Sequence, residues 1–487
     1  MNDITPVIQT TAGSVRGRHA GGVDVFLGIP YAAPPFGANR FLAPQPVQPW
    51  AGIRDAAAYG PTVPKSDYPA PVRPVLPEVT IPGEDCLNLN VWTPGPSVAR
   101  RPVFVWIHGG SFTSGSGANS EYDGTAFARD GIVCVTINYR LGADGFLELP
   151  GADPNRGLRD MIAALEWVRG NIAAFGGDPG RVTLAGESAG AIAVAALMAV
   201  PAARGLFARA VLQSGPLSSV LTAAQSALVT ERFTARLGVA ATREALAGVP
   251  MDRLIAAVTA LGQEVRAPGA AAEWGDLAQL LPFAPVVDGE LLPRPPLEAA
   301  ADPAGQVPAL IGTNRDEGRL FFVPGGVIDA IDDAMLTQFA ASNGITDLPA
   351  FLPTFRSGSA GETPGEMLVD LYTCIRFVQP AARLAEARGA VPTWMYRFDG
   401  LGLGDNDGLG SCHTAEIPFV FATAGRPELR PRIGAHPSAA VTETMHSTWV
   451  RFVTSGDPGW APGTAAYLGG QDAGTTAYLA GQDVHSD

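Results

Sequence analysis

Five consecutive residues, Gly186-Glu187-Ser188-Ala189-Gly190, place a serine between two glycines in a G-x-S-x-G string. A serine hydroxyl that attacks a carbonyl carbon forms an acyl-enzyme, but unaided it is a poor nucleophile. An imidazole must take its proton and a carboxylate must orient that imidazole. As a bare string G-x-S-x-G is common, and its meaning comes from its setting. Here it follows the strand-like Arg181 to Ala185 and precedes a helical pattern beginning near Ala191. On such a strand-to-helix turn the backbone at the serine is strained, the hydroxyl stands above a sheet, and the glycines let strand and helix approach closely. The competing reading is an ordinary glycine-rich turn.

Where a nucleophile sits on this kind of turn the chain order is serine, acid, histidine, which leaves His413, His436, His446 and His485 of the six histidines. His446 falls in a helical pattern and His485 in the tail. His413 ends a glycine-rich loop, Gly400 to Cys412, that follows the strand-like Thr393 to Phe398. That is where a catalytic loop belongs, and His436 is the substitute. For the acid, Asp316 and Glu317 lie just past the strand-like Ala309 to Thr313, and spacing alone does not choose between them. Asp288, in Val286-Val287-Asp288-Gly289, is better read as a turn residue. A tetrahedral intermediate also needs backbone donors, worth roughly 3 to 4 kcal/mol each. His108-Gly109-Gly110-Ser111-Phe112 follows the strand-like Pro102 to Ile107 and supplies a loop of that type. The N–H of Ala189, just past the nucleophile, is the expected partner donor.

These positions need a scaffold. Apolar runs bounded by glycine (Pro102 to Ile107, Ile132 to Tyr139, Val182 to Ala185) alternate with helical patterns (Arg159 to Phe175, Ala191 to Val200). The alternation predicts an α/β fold with a mostly parallel sheet covered on both faces. Helical insertions are expected at about 223–280 and 328–388 of a single domain spanning 1–487, and the Pro-rich stretch Pro61 to Pro82 reads as an irregular surface loop. With 487 residues and 46% hydrophobic content the chain can bury a large core. A net charge of −14 argues against nucleic acid as a partner. Apolar stretches are too short for a membrane span, the N-terminus shows no secretion-signal pattern, and the four cysteines lack C-x-x-C spacing, so a cytoplasmic protein with reduced thiols and neither metal nor cofactor is expected.

Longer stretches carry a resemblance. FLGIPYAAPPFGANRF at Phe26 to Phe41, EDCLNLNV at Glu84 to Val91, VWIHGGSF at Val105 to Phe112, NYRLGADGF at Asn138 to Phe146 and WVRGNIAAFGGDPGRVTLAGESAG at Trp167 to Gly190 resemble the type-B carboxylesterase family over nearly the whole chain. The resemblance implies the α/β-hydrolase fold and hydrolysis of small-molecule carboxylic esters. It implies a Ser188, Glu317, His413 triad, with glutamate as the acid because Glu317 holds the family position in GTNRDEG. It further implies oxyanion donors at Gly110, Ser111 and Ala189 beside Gly109, a buried carboxylate at Glu187 and a supporting hydroxyl at Ser214.

The sequence departs from the family in two ways that bear on function. Members with a disulfide pair the cysteine of EDCLNLN with one shortly upstream; here no such cysteine exists, so Cys86 is expected unpaired. The loop from Pro61 to Glu84 also lacks the tryptophan with which cholinesterases hold quaternary ammonium. Phe283, Phe321, Phe322 and Phe419 are candidates for apolar lining or for ordinary core. A non-catalytic binding protein on the same scaffold, and an amidase or transacylase using the same triad, stand as the alternatives. Oligomeric state is not legible.

Overall fold

Val103 to Ile107 is an unbroken apolar run and Val133 to Ile137 is apolar but for Thr136, the pattern of strands covered on both faces. In the computed structural model, which describes residues 6–95, 100–267, 269–355, 363–470 and 475–477, they lie side by side within an 11-stranded sheet. Its strands are β1 (Arg18–Ala20), β2 (Val23–Pro30), β3 (Asn88–Thr93), β4 (Arg101–Ile107), β5 (Val133–Ile137), β6 (Gly177–Glu187), β7 (Arg209–Gln213), β8 (Ala309–Asn314), β9 (Thr393–Phe398), β10 (Thr464–Leu468) and β11 (Thr475–Ala477). Their spatial order is β11-β10-β9-β8-β7-β6-β4-β5-β3-β2-β1. From β10 through β4 to β5 every pairing is parallel; β3, β2, β1 and β11 add antiparallel edges. This is the mixed sheet of an α/β hydrolase.

Strand periodicity of two sorts β4 onto two cores. Val103, Val105 and Ile107 pack with Leu184 and Leu212 on one face, while Phe104 and Trp106 pack with Ala185 and Val211 on the other. The first face is covered by helix α1 (Arg156–Asn171) and helix α2 (Ala189–Ala199), the second by helix α3 (Ala439–Ser455). Phe104 is fully buried and stacks 4.6 Å from Phe127. Truncating a phenylalanine so placed costs about 3–5 kcal/mol.

Between β7 and β8 the chain forms helices at Ala223–Leu237, Met251–Val265 and shorter pieces. The first starts at a capping box, where Thr222 and Gln225 exchange side-chain and backbone bonds, and stops at Gly238 in left-handed conformation. Between β8 and β9, helices at Asp333–Ser342, Leu348–Phe355 and Pro364–Thr373 surround a small separate core of Ile331, Leu336, Ala340, Ile345, Leu368 and Leu371, while the helix at Gln379–Ala387 packs Ala381 and Leu384 into the main core. The Pro-rich stretch from Pro61 to Pro82 is irregular, as its composition predicts, but it is not simply a surface loop. Thr62, Val63 and Ser66 are buried, and the lone lysine, Lys65, is drawn inward. Its two ends are tied together by Thr62 N–H to Ile81 O at 2.9 Å and Ile81 N–H to Thr62 Oγ1 at 3.1 Å.

Candidate active site

Ser188 sits at the junction of β6 and α2 with φ 55° and ψ −120°, a conformation costing of order 1–3 kcal/mol for a non-glycine residue. The turn is held by Ser188 N–H donating to Gln213 O at 2.9 Å and by Ile192 N–H donating to Ser188 O at 3.0 Å. Gly190 is required here for space: a Cβ at that position would lie 2.1 Å from Ile107 O. The serine side chain is thereby left half-buried, between the carboxyl ends of β4 and β6.

Past β8, Asn314 to Glu317 form a tight turn zipped to the loop before His413. Asp316 N–H donates to Ser411 O at 3.0 Å, Ser411 N–H to Asp316 Oδ2 at 2.8 Å, and Asn314 Nδ2 to Cys412 O at 2.7 Å. Two neighbouring carboxylates thus acquire separate partners. Asp316 pairs with Arg315 at 2.8 Å. Glu317, fully buried, accepts Asn314 N–H at 2.7 Å through Oε1 and meets His413 Nδ1 at 2.7 Å through Oε2. His413 is buried and its Nε2 points toward the elbow, 3.2 Å from Glu187 Oε1, an approach without hydrogen-bond alignment. Among the described residues the Ser188 hydroxyl makes no hydrogen bond, the loose arrangement common before a substrate draws such groups together. His436 is exposed, and His446 bonds Val420 O at 2.6 Å within the core; His485 lies outside the described residues. Asp288 caps its own turn, accepting Glu290 and Leu292 N–H groups at 2.9 Å each.

The loop after β4 carries a run of positive φ: Gly110 at 106°, Ser111 at 55° and Phe112 at 59°, with Gly115 at 93°. It curls so that Thr113 and Ser114 N–H both donate to Gly110 O, at 3.0 and 2.9 Å. Among the described residues no protein acceptor takes the N–H of Gly109, Gly110 or Ser111. Ala189 N–H, at the first position of α2, has no partner within the helix either. A Cβ at Gly109 would lie 3.1 Å from Ser188 Cβ and 2.6 Å from Glu187 Oε2, so loop and elbow are in contact. His108, pushed down to about 3 by burial, is neutral; it bonds Gly109 O at 2.8 Å.

Beneath these groups lies a cluster of buried acids. Burial, reinforced by Glu416 and Glu317, raises Glu187 well above the usual carboxyl range and so favours its protonated form. Glu416, raised by burial and then by Glu317, accepts Gln213 Nε2 at 3.0 Å and Asn314 Nδ2 at 2.6 Å. Trp449 Nε1 completes this chain by donating to Gln213 Oε1 at 2.8 Å. Sequence reading missed Glu416; its one signal is a carboxylate at the head of the apolar run Ile417 to Val420, which must find partners when buried. Ser214, at φ 50°, is anchored by its N–H to Gly312 O at 2.8 Å, and its buried hydroxyl has no partner among the described residues.

Of the four phenylalanines considered as lining, Phe321 alone meets the imidazole, ring centroids 5.3 Å apart. Phe283 and Phe419 are core, and Phe322 packs on Tyr372. Phe377, not foreseen, lies 4.9 Å from His413. It is presented by a π-turn at Cys374–Val378, a widened turn of the kind that recurs at functional sites. The four cysteines are free and buried. No group of three or more His, Cys, Asp and Glu side chains among the described residues is placed to hold a metal; in the loop before His413, Asp405 accepts Gly402 N–H at 2.7 Å.

A serine on a strained strand-to-helix elbow, at the carboxyl edge of a sheet with this strand order, defines an α/β hydrolase. The model of the carboxylesterase family matches residues 4–473, and the chain belongs to that family. It is 38% identical over 461 residues to phenmedipham hydrolase of Pseudarthrobacter oxydans, covering 93% of this chain and 90% of that protein. Para-nitrobenzyl esterase of Bacillus subtilis (strain 168) is 37% identical over 469 residues, with the same coverage. Among solved structures, carboxylesterase EST55 of Geobacillus stearothermophilus superposes with a TM-score of 0.82 at 34% identity, covering 96% of this chain and 97% of that one. The protein is a serine-type carboxylic ester hydrolase.

Proposed function

We propose that Ser188 is the nucleophile, His413 the general base and Glu317 the carboxylate that orients it, within a single hydrolase domain whose helical insertions at about 223–280 and 328–388 shape the substrate cleft. The observation that carries this reading is the 2.7 Å contact of His413 Nδ1 with Glu317 Oε2 beside a serine held at φ 55°. An ionised Glu317 only accepts, so Nδ1 holds the proton and Nε2 keeps its lone pair for the serine hydroxyl. Ser188 Oγ then bonds to the ester carbonyl carbon, its proton passes to Nε2, and the carbonyl π electrons move to oxygen. The N–H groups of Gly110, Ser111 and Ala189, with Gly109 shaping the loop, receive that charge. Collapse breaks the bond to the alcohol, which leaves with the proton from His413, and water activated by the same base releases the acid. Burial favours the protonated form of Glu187 beside Nε2, and Ser214, tied to β8 through its N–H, supports the end of β7 whose Gln213 carbonyl holds the Ser188 N–H.

Small-molecule esters are the substrates this site suits, and para-nitrobenzyl esters, named for the Bacillus relative, are the first to try. Four free buried cysteines support a reducing, cytoplasmic location, and no helix among the described residues is long and apolar enough to cross a membrane. A net charge of −14 speaks against nucleic acid as a partner. The test is stopped-flow hydrolysis of a chromogenic ester. The wild type should release a burst of alcohol equal to the enzyme concentration, and Ser188→Ala should lose turnover by several orders of magnitude while keeping its fold. Activity within about tenfold of wild type in the folded variant overturns the assignment.

A further inference from the structure

The chain contains one lysine, Lys65, among 33 basic residues, and the fold buries it. Its side chain is 3% exposed and sits inside the Pro-rich loop, paired at 2.6 Å with Glu78. The ammonium's three donors all find acceptors: Glu78 Oε1, Val79 O at 2.5 Å and Gly115 O at 3.2 Å. On the other side of the pair, Glu78 Oε2 accepts Gly115 N–H at 2.8 Å. Both backbone polar groups of Gly115 are therefore held by the two ends of one buried ion pair. A third tie runs beside it, with Ser66 N–H donating to Thr113 O at 2.9 Å and Ser114 Oγ donating to Ser66 O at 2.8 Å.

What Gly115 touches gives these bonds a meaning beyond stability. A Cβ there would lie 2.4 Å from Gly109 O and 2.6 Å from His108 Nδ1, so its Cα is wedged against the carbonyl side of the Gly109–Gly110 peptide. In a trans peptide the C=O and N–H point in opposite directions. The plane pressed from behind at Gly109 O is thus the plane that presents Gly110 N–H on its other side. The loop it belongs to runs through Gly110, Ser111 and Phe112 at positive φ, a conformation that persists only where the surroundings over-determine it. The geometry points to Lys65 and Glu78 as positioning residues: their ion pair fixes Gly115, and through Gly115 aims the oxyanion donors of Gly110 and Ser111. This rests on the oxyanion reading above. Lysine suits the task and arginine does not, because a tetrahedral ammonium reaches one carboxylate and two carbonyls that a planar guanidinium cannot meet together.

The experiment compares Glu78→Gln, which alters no heavy-atom count, and the double variant Lys65→Met/Glu78→Gln, which leaves no buried unpaired charge, with Arg73→Ala on the exposed side of the same loop. For each, kcat and KM for a chromogenic ester are measured with the Kd of a trifluoromethyl ketone, whose serine adduct carries the oxyanion. The expected result is a fall in kcat of roughly 10- to 100-fold, less than or equal to the loss of one whole donor, with KM within about threefold. The ketone should weaken by the same factor as kcat/KM, and Arg73→Ala should behave as wild type. Folded clamp variants that keep kcat and ketone affinity within about twofold, whatever their Tm, overturn the inference, since a merely structural pair moves Tm alone. Ser188→Ala run in parallel separates the outcomes: if it is inactive while the clamp variants are normal, only the positioning role falls.

Discussion

Glu317→Gln replaces one carboxylate oxygen by an NH2 and changes no shape, yet the two contacts of that group cannot both survive. Oε1 accepts Asn314 N–H at 2.7 Å and Oε2 meets His413 Nδ1 at 2.7 Å, in a position with no solvent exposure. A glutamine must offer its single carbonyl oxygen to Asn314, because the reverse flip sets NH2 against N–H and leaves a buried donor unpaired at about 1–3 kcal/mol. Its NH2 then faces Nδ1, which has to become an acceptor, and the imidazole proton moves to Nε2. That tautomer cannot take the proton of Ser188. The equivalent amide substitution in Ser-His-Asp proteases costs about 10⁴ in kcat, which corresponds to about 5.5 kcal/mol of barrier. Steady-state hydrolysis of para-nitrophenyl acetate, with circular dichroism to confirm the fold, measures it. Asp316→Asn is the matched control: Asp316 is engaged by Arg315 and by Ser411 N–H at 2.8 Å, so its loss should lower Tm and leave kcat within about tenfold. A Glu317→Gln variant within tenfold of wild type, or an Asp316→Asn variant that is the more impaired in kcat, would refute the reasoning.

Two further predictions concern backbone and pH. Ser111→Gly keeps the N–H and relieves the 55° φ, so kcat should stay within about threefold, whereas proline can neither adopt that φ nor donate, and Ser111→Pro should lose about a hundredfold or more; a folded proline variant with normal kcat removes Ser111 from the oxyanion site. Asp370 is raised from its ordinary 3.8 to about 6, first by burial and then by Asp316 and Glu366, and its Oδ2 has no partner among the described residues. A carboxyl whose folded pKa is raised loses stability as pH climbs through the interval between the two values and holds constant above it, because the unfolded chain has already released the proton. Asp370→Asn should therefore raise Tm at pH 8, with the gain vanishing below about pH 4; equal Tm differences at both pH values would contradict the assignment.

Much of the fold was legible because its signals are local. The apolar runs of β4 and β5, the glycines bracketing Ser188, and the Thr222 to Gly238 helix with its cap and stop each depend on residues a few positions apart. The same holds for the elbow: the need for glycine at 190 follows from the close approach that the strand–turn–helix pattern already announces. Less was legible wherever the partner is far away in the chain. Phe321 and Phe419 look alike in sequence, but the first meets His413 and the second packs on Phe398, a difference set by how the helices between β8 and β9 fold back. Lys65 carries no local signal in the sequence; only the fold shows the Pro-rich loop closing against the loop after β4, where Lys65 meets Gly115, 50 positions away.

Taken alone, the residues determined a serine on a strand-to-helix turn, a sheet covered on both faces, and four histidines in the right chain order, because helix and strand periodicity and the glycines around Ser188 act over a single turn or pleat. Spacing could not choose between Asp316 and Glu317, since adjacent residues on a tight turn point apart and nothing in their own neighbourhood says which direction holds the histidine. Only the tertiary structure decided that, by bringing His413 from 96 positions away to within 2.7 Å of one and Arg315 and Ser411 to the other. A hydrogen bond is set by distance and direction in space, and those are properties of the packed sheet and its loops rather than of any stretch of chain.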